Sequence, residues 1–256
     1  MYHMSREGVA KHVSSYYKTG RKPYKKGMFR NRHQNWATTD DQGREWLFKV
    51  DGSIKRYNAM PAVNRHEVVK FDKVCELITP PLTGDKDLND LCGIVEELIR
   101  GGAHSNAGMK CSLHIHLGLM DHTAKSLTRL AHLHAMVETR MIKEFGISQH
   151  RIDRYCQKTN PRFLFLLDMR EPQTIKEFQD IWYEAHGTED KRYRHYNKSR
   201  YHLINFHAIT CHGTIEFRGF QFRPDLNTAQ LRQYLNFCMR INEYSKTDLP
   251  LDEFKF

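Results

Sequence analysis

The stretch Tyr201-His-Leu-Ile-Asn-Phe-His-Ala-Ile-Thr-Cys-His-Gly-Thr-Ile-Glu-Phe-Arg-Gly-Phe220 holds two apolar runs on either side of Thr210-Cys-His-Gly213. Read as strands over 201–209 and 213–220, runs joined by so tight a turn must lie antiparallel, because a parallel pair needs a crossover of about a dozen residues or more. That pair sets the fold class as α+β in preference to a doubly wound parallel sheet. It also places chemistry. Glu216 and Arg218, two residues apart, project from one face of their strand with a spacing of roughly 6.6 Å.

Working outward, Cys111-Ser-Leu-His-Ile-His-Leu117 repeats the arrangement, with His114 and His116 on one face and Leu113, Ile115 and Leu117 on the other. A third run, Val74-Cys-Glu-Leu-Ile78, carries one acid, Glu76. Each piece has a plain structural explanation: a hydrogen-bonded histidine pair in a chain with 16 histidines, or a salt bridge on a sheet face. Together, two acids and two imidazoles form a cation site, and an arginine beside it suits a phosphate or carboxylate. Magnesium prefers oxygen ligands, so the imidazoles also admit zinc or manganese. Metal-assisted phosphoryl chemistry on ATP and hydrolysis by a zinc-bound water both stay open. The absence of a Walker loop or kinase motif set does not separate them.

Ser5 is placed to cap a helix carrying Val9, Val13, Tyr16 and Tyr17 on one stripe. Residues 19–32, lysine-rich with Gly20, Pro23 and Gly27, read as a mobile basic loop. Trp36-Ala-Thr-Thr39 and Trp46-Leu-Phe-Lys-Val50 flank Asp40-Asp-Gln-Gly43 as a hairpin, with a second turn at Asp51-Gly52 and further strand over 67–78. Leu88, Leu91, Ile94, Val95 and Leu98 mark an amphipathic helix that stops at Gly101-Gly102. Helices over 123–145, with Leu127, Leu130, Leu133, Val137 and Met141 inward, over 174–184, and from 228 to about 244 complete the reading. The order is helix, strands, helix, strand, two helices, two strands, helix.

At 256 residues, 39% hydrophobic and 11% aromatic, the chain has material for a sizeable core. It lacks an apolar run of membrane-spanning length and a signal-peptide core, so the expectation is a cytoplasmic protein without a membrane partner. Six dispersed cysteines, at 75, 92, 111, 156, 211 and 238, read as free buried thiols rather than disulfides or a zinc cluster. The net charge of +10 is concentrated: residues 1–36 hold nine Lys or Arg against one acid, and Lys191-Arg-Tyr-Arg-His-Tyr-Asn-Lys-Ser-Arg200 holds five cations in ten residues. Such segments suit phosphates and stacked bases, or are solvated loops. With no nucleic-acid module legible, nucleic acid is not the expected main partner.

With those residues laid out, the chain resembles the amidoligase family of carboxylate-amine ligases with a glutamine synthetase-like fold. The likeness runs in order through Trp46-Leu-Phe-Lys-Val-Asp-Gly-Ser-Ile54, Cys75-Glu-Leu-Ile-Thr-Pro-Pro-Leu82, Gly102-Ala103, Ser112-Leu-His-Ile-His116, Arg154-Tyr-Cys156, Arg200-Tyr-His-Leu-Ile-Asn205 and Thr214-Ile-Glu-Phe-Arg218. It implies one domain over 1–256, with a mainly antiparallel curved sheet packed by helices on one face and a helical segment with basic loop at 123–200. It also implies an ATP-dependent amide synthesis through an acyl phosphate, with Mg2+ or Mn2+ at the phosphates. The expected substrates are a carboxylate and an amine, for which a peptide or γ-glutamyl compound is suited.

By the same resemblance, His114 and Glu216 would bind a metal at the phosphates, Glu76 a metal nearer the substrate, and His116 the nucleotide phosphates. Arg218 would steady the transferring phosphoryl group or the substrate carboxylate, and Arg200 and Asn205 would line the cavity. The expected catalytic set is Arg218, Glu216 and His116. The family's opening strand, Gly-x-Glu-x-Glu, precedes a helix like that at 5–17, and no Glu-x-Glu occurs in the 256 residues. The expectation is therefore either a chain truncated upstream or an impaired metal site, with Glu67 as a candidate substitute.

Overall fold

The computed structural model describes residues 5–29, 33–50, 75–103, 112–221 and 226–256. The fold is α+β, and it divides into two compact units, Met1–Cys111 with Phe222–Leu231, and Ser112–Gln221 with Arg232–Phe256. The second turn at Asp51-Gly52, most of the strand expected over 67–78, Glu67 and Cys111 lie outside the described residues. Among the described residues no helix is long and apolar enough to cross a membrane, and Cys75, Cys92, Cys156, Cys211 and Cys238 are free thiols.

In the first unit, α1 (Arg6–Tyr16) starts where Ser5 accepts a hydrogen bond from the Gly8 amide, 3.0 Å. Three strands follow as an antiparallel meander, β1 (Tyr24–Phe29), β2 (His33–Thr39) and β3 (Glu45–Lys49), and β4 (Glu76–Ile78) pairs with β3. The expected hairpin at 40–43 forms: the Asp40 amide donates to the Arg44 carbonyl and Gly43 sits at φ +79°, a left-handed conformation suited to glycine. Trp46 and Phe48, two apart on β3, are buried against Val9 and Val13 of α1 and Ile94 and Leu98 of α2 (Gly84–Arg100). Beside this core, Arg44 bridges two buried carboxylates, Asp40 at 2.8 Å and Asp87. That bridge holds Asp87 down to about 2, despite a desolvation penalty.

The stretch expected as a mobile basic loop is in part the edge strand β1. Its ladder shifts between Lys25 and Met28, where Gly27 takes φ +68°. Lysines and a bulge are what an exposed sheet edge tolerates, and they hide the strand from a reading based on alternation.

The second unit is built on β5 (Ile115–Gly118), β6 (Ile204–Asn205) and β7 (Thr214–Phe217), antiparallel in the order β5-β7-β6. Ile115, Ile204, Ile215 and Phe217 fill one face, while His116, Asn205 and Glu216 stand in register on the other. Phe217 meets His134 of α3 (Ala124–Glu144) and Phe237 of α8 (Thr228–Ser245) on the apolar side. The five inward positions expected on α3 are all buried.

Two helices, α4 (Gln149–Arg154) and α5 (Pro161–Arg170), precede α6 (Ile175–His186) and were not anticipated. The cue for α5 was present, since Asn160 caps it and Pro161 occupies its first turn. Phe163 of α5 packs edge-on against Trp182 and Phe178 of α6, and Phe206 joins them.

The decisive pair is antiparallel, but its connection is not a tight turn. Residues 207–212 form a short helix, α7 (His207–His212), where strand and turn were expected. The Asn205 carboxamide oxygen accepts the His207 amide at 2.9 Å, which starts the helix, and Gly213 at φ +65° ends it. Of the expected first strand, Ile204 and Asn205 pair with β7 and His202 forms an isolated bridge with Gln157.

Candidate active site

Glu216 lies at the centre of the polar sheet face because β7 is the middle strand, with His116 opposite it on β5 and Asn205 opposite it on β6. Its carboxylate is 4% exposed. One oxygen, Oε1, receives His114 Nδ1 at 2.9 Å and Arg218 at 2.8 Å, with His116 Nε2 at 3.6 Å; the other accepts from the Asn205 amide at 2.5 Å. Burial alone would raise the carboxyl pKa, but the bonds from His114 and His116 and the charge of Arg218 outweigh it and hold the group ionised far below the ordinary range.

A carboxylate only accepts, so His114 carries its proton on Nδ1 and its Nε2 accepts from the Ser112 hydroxyl at 2.6 Å. Burial pulls the His114 pKa below its usual value, against the pull of Glu216. His116 is fixed through Nδ1 to the Thr214 hydroxyl at 2.8 Å. Ser112 and Thr214 are additions to the expected site. Each stands two residues before a named one, so the period-2 rule that found the histidines also reaches them.

Arg218 is aimed by its backbone. Its amide donates to the Leu203 carbonyl and its carbonyl accepts from the buried Arg151, both at 2.9 Å. Beyond β5, Ser112 pairs with Gln221, so two residues on one side face three on the other, the count of a β-bulge. Gly219 lies inside it, and a Cβ there would meet Leu203 Cδ2 at 2.8 Å and Ile147 Cδ1 at 2.9 Å. Gly219→Ala is expected to cost about 1–3 kcal/mol through overpacking. A urea midpoint unchanged from the parent would show that the bulge adapts freely.

The structure brings His114, His116, Asn205, Glu216 and Arg218 together. Arg200 is one ring removed: its guanidinium lies 5.8 Å from the centre of Tyr201, whose ring also faces Arg218 at 5.9 Å. Glu76 belongs to the first unit, exposed on β4 opposite Lys49. Two imidazoles and a carboxylate are donor types that suit a divalent cation. As they stand, the Glu216 oxygens are taken up by His114, Arg218 and Asn205, and among the described residues no group of three His, Cys, Asp or Glu is arranged to hold a metal.

The sheet face of the second unit thus gathers a buried carboxylate, two imidazoles, a carboxamide and a guanidinium into one bonded cluster. The chain belongs to the family described as "putative amidoligase enzyme", whose model matches residues 1–242. No curated protein and no solved structure gives a match.

Proposed function

We propose that the protein is an ATP-dependent carboxylate-amine ligase with a glutamine synthetase-like fold. A substrate carboxylate would attack the γ-phosphorus of ATP with departure of ADP, and the amine would then displace phosphate from the acyl phosphate to leave an amide. The observation that carries this reading is the meeting of His114, His116, Asn205 and Arg218 on Glu216, within a chain of the amidoligase family.

In such a reaction the protein supplies position and charge more than covalent chemistry. Arg218, buried and aimed by its clamped backbone, would face the transferring phosphoryl group or the substrate carboxylate, and His116 the nucleotide phosphates. Glu216 with His114 would hold Mg2+ or Mn2+, and Glu76 a second ion. Bound there, the metal would neutralise phosphate charge.

The test is release of ADP and phosphate in the presence of Mg2+ across panels of carboxylates and amines, with amide product followed by mass. Turnover that needs both substrates is the expected result. Stoichiometric zinc in the purified protein with hydrolysis and no nucleotide turnover would overturn it.

A further inference from the structure

The segment 191–200 is the strongest sequence feature that the site described above does not absorb. It is not a loose solvated run. Asn197, 1% exposed, accepts from the Ser199 amide and donates to the Lys191 carbonyl, and buried Ser199 accepts from the Trp182 indole. The Arg194 carbonyl accepts from His207, whose other nitrogen meets the Tyr183 hydroxyl. The backbone is thus nailed to α6 and α7 by buried groups, while Arg194, Lys198, Tyr193 and Tyr196 are exposed and Arg200 is half-exposed.

The same segment closes a circuit of contacts that begins and ends at Glu216. His116 lies beside Glu216, and its ring meets His212 at 5.7 Å; His212 meets His195 at 6.1 Å. The His195 carbonyl accepts from Arg200, which covers Tyr201, and Tyr201 leads back through Arg218 to Glu216. Charge along this rim is uneven. Arg192 is paired with Asp180 and Lys191 with Asp190. Among the described residues, Arg194, Lys198 and Arg200 have no carboxylate partner, and Tyr193 and Tyr196 are 83% and 76% exposed. Lys125, Arg140, Arg170 and Lys176 of this unit are each bonded to an acid, whereas Lys143, Arg154 and Lys158 stand singly and apart from any neighbouring pair of exposed tyrosines in sequence.

We infer that the fixed rim formed by Arg194, Lys198, Arg200, Tyr193 and Tyr196 receives an acidic peptide and leads its carboxylate to the Glu216 cluster. The inference rests on the ligase reading for the chemistry performed and on the rim itself for the binding. Three unanswered cations give an acidic chain its counter-charges, and the two tyrosines offer apolar area between them. A single-stranded nucleic acid would offer phosphates to the same cations and bases to the same tyrosines, which makes it the competing outcome of the test.

The experiment measures anisotropy of labelled hexaglutamate with the full chain in the absence of ATP, beside hexalysine, a neutral Gly-Ser hexamer and a uridine hexanucleotide. Hexaglutamate is expected to bind alone, and to weaken about tenfold between low and high salt. The double variant Arg194→Glu/Lys198→Glu changes only exposed side chains, and is expected to weaken binding about tenfold or more with an unchanged melting temperature. Equal affinity in that variant, no hexaglutamate binding, or tighter binding of the hexanucleotide would each overturn the inference. ADP release is read separately: binding without turnover defeats the ligase reading and leaves the rim standing, whereas turnover on a small carboxylate without hexaglutamate binding defeats the rim alone.

Discussion

Replacing Glu216 with alanine is expected to destabilise the second unit by about 3–5 kcal/mol, the largest loss from any single change in the site. Among the described residues the carboxylate is the only acid bonded to Arg218, itself 6% exposed, and it also accepts hydrogen bonds from His114 and the Asn205 amide. Removing it strands a buried positive charge and two donors, and an unpaired buried charge costs more than the pair contributes. Two further variants separate the causes. Arg218→Met alone leaves the carboxylate with His114 and Asn205, so a smaller loss is expected. The double change Glu216→Leu/Arg218→Met removes both charges and should recover part of the single-variant loss. Urea unfolding of the three variants measures this, and a loss under about 1 kcal/mol for Glu216→Ala would mean that water reaches Arg218 freely.

The legible part of this site was the part written in strand periodicity. His114, His116, Glu216 and Arg218 announce themselves because residues two apart share a face, whereas Asn205 is named through the family resemblance alone: a tight turn at 210–213 would set His207 opposite Glu216, two residues from the observed Asn205 partner. The buried face was legible too, since apolar alternation on β5 and β7 shows which side of each strand is covered. The connection between β6 and β7 was not, because Asn205 uses its own side chain to start a helix that the apolar content of residues 206–209 disguises as strand. β1 was missed for the opposite reason, as an edge strand rich in lysine lacks the alternation that reports burial. Arg151 could not have been found at all: its part is to bond a backbone carbonyl 67 positions away, and no local pattern records that.

Lowering the pH from 7.5 to 4.5 is expected to remove about 5 kcal/mol of stability from the second unit, beginning near pH 6.5, well above the range in which carboxylates act. Two imidazoles are responsible, His134 fully buried and His186 half-buried. Burial depresses His134 to about 3, and burial with the neighbouring His202 depresses His186 to about 4, from an ordinary value of 6.5. A group whose folded pKa is depressed binds protons more readily when unfolded, so its contribution is fully present above 6.5 and is lost as pH falls toward the folded value. Each contributes about 2–3 kcal/mol over this window, at roughly 1.4 kcal/mol per unit. His202 shifts in the same direction through its own burial. Glu138, raised by burial, acts with the opposite sign and offsets part of the loss as pH falls through its folded value. Asp87 and Glu216 are held low by their partners, so their contributions are fully present above the ordinary carboxylate range and fade as pH falls through that range toward their folded values. The His186 ring lies 4.1 Å from that of Trp182, which makes indole fluorescence a local reporter. His186→Phe keeps the ring contact and removes the proton site, so it should flatten the stability profile between pH 6.5 and 4.5 by about half. A profile that is level down to pH 5 in the parent protein would show that these imidazoles are hydrated in solution.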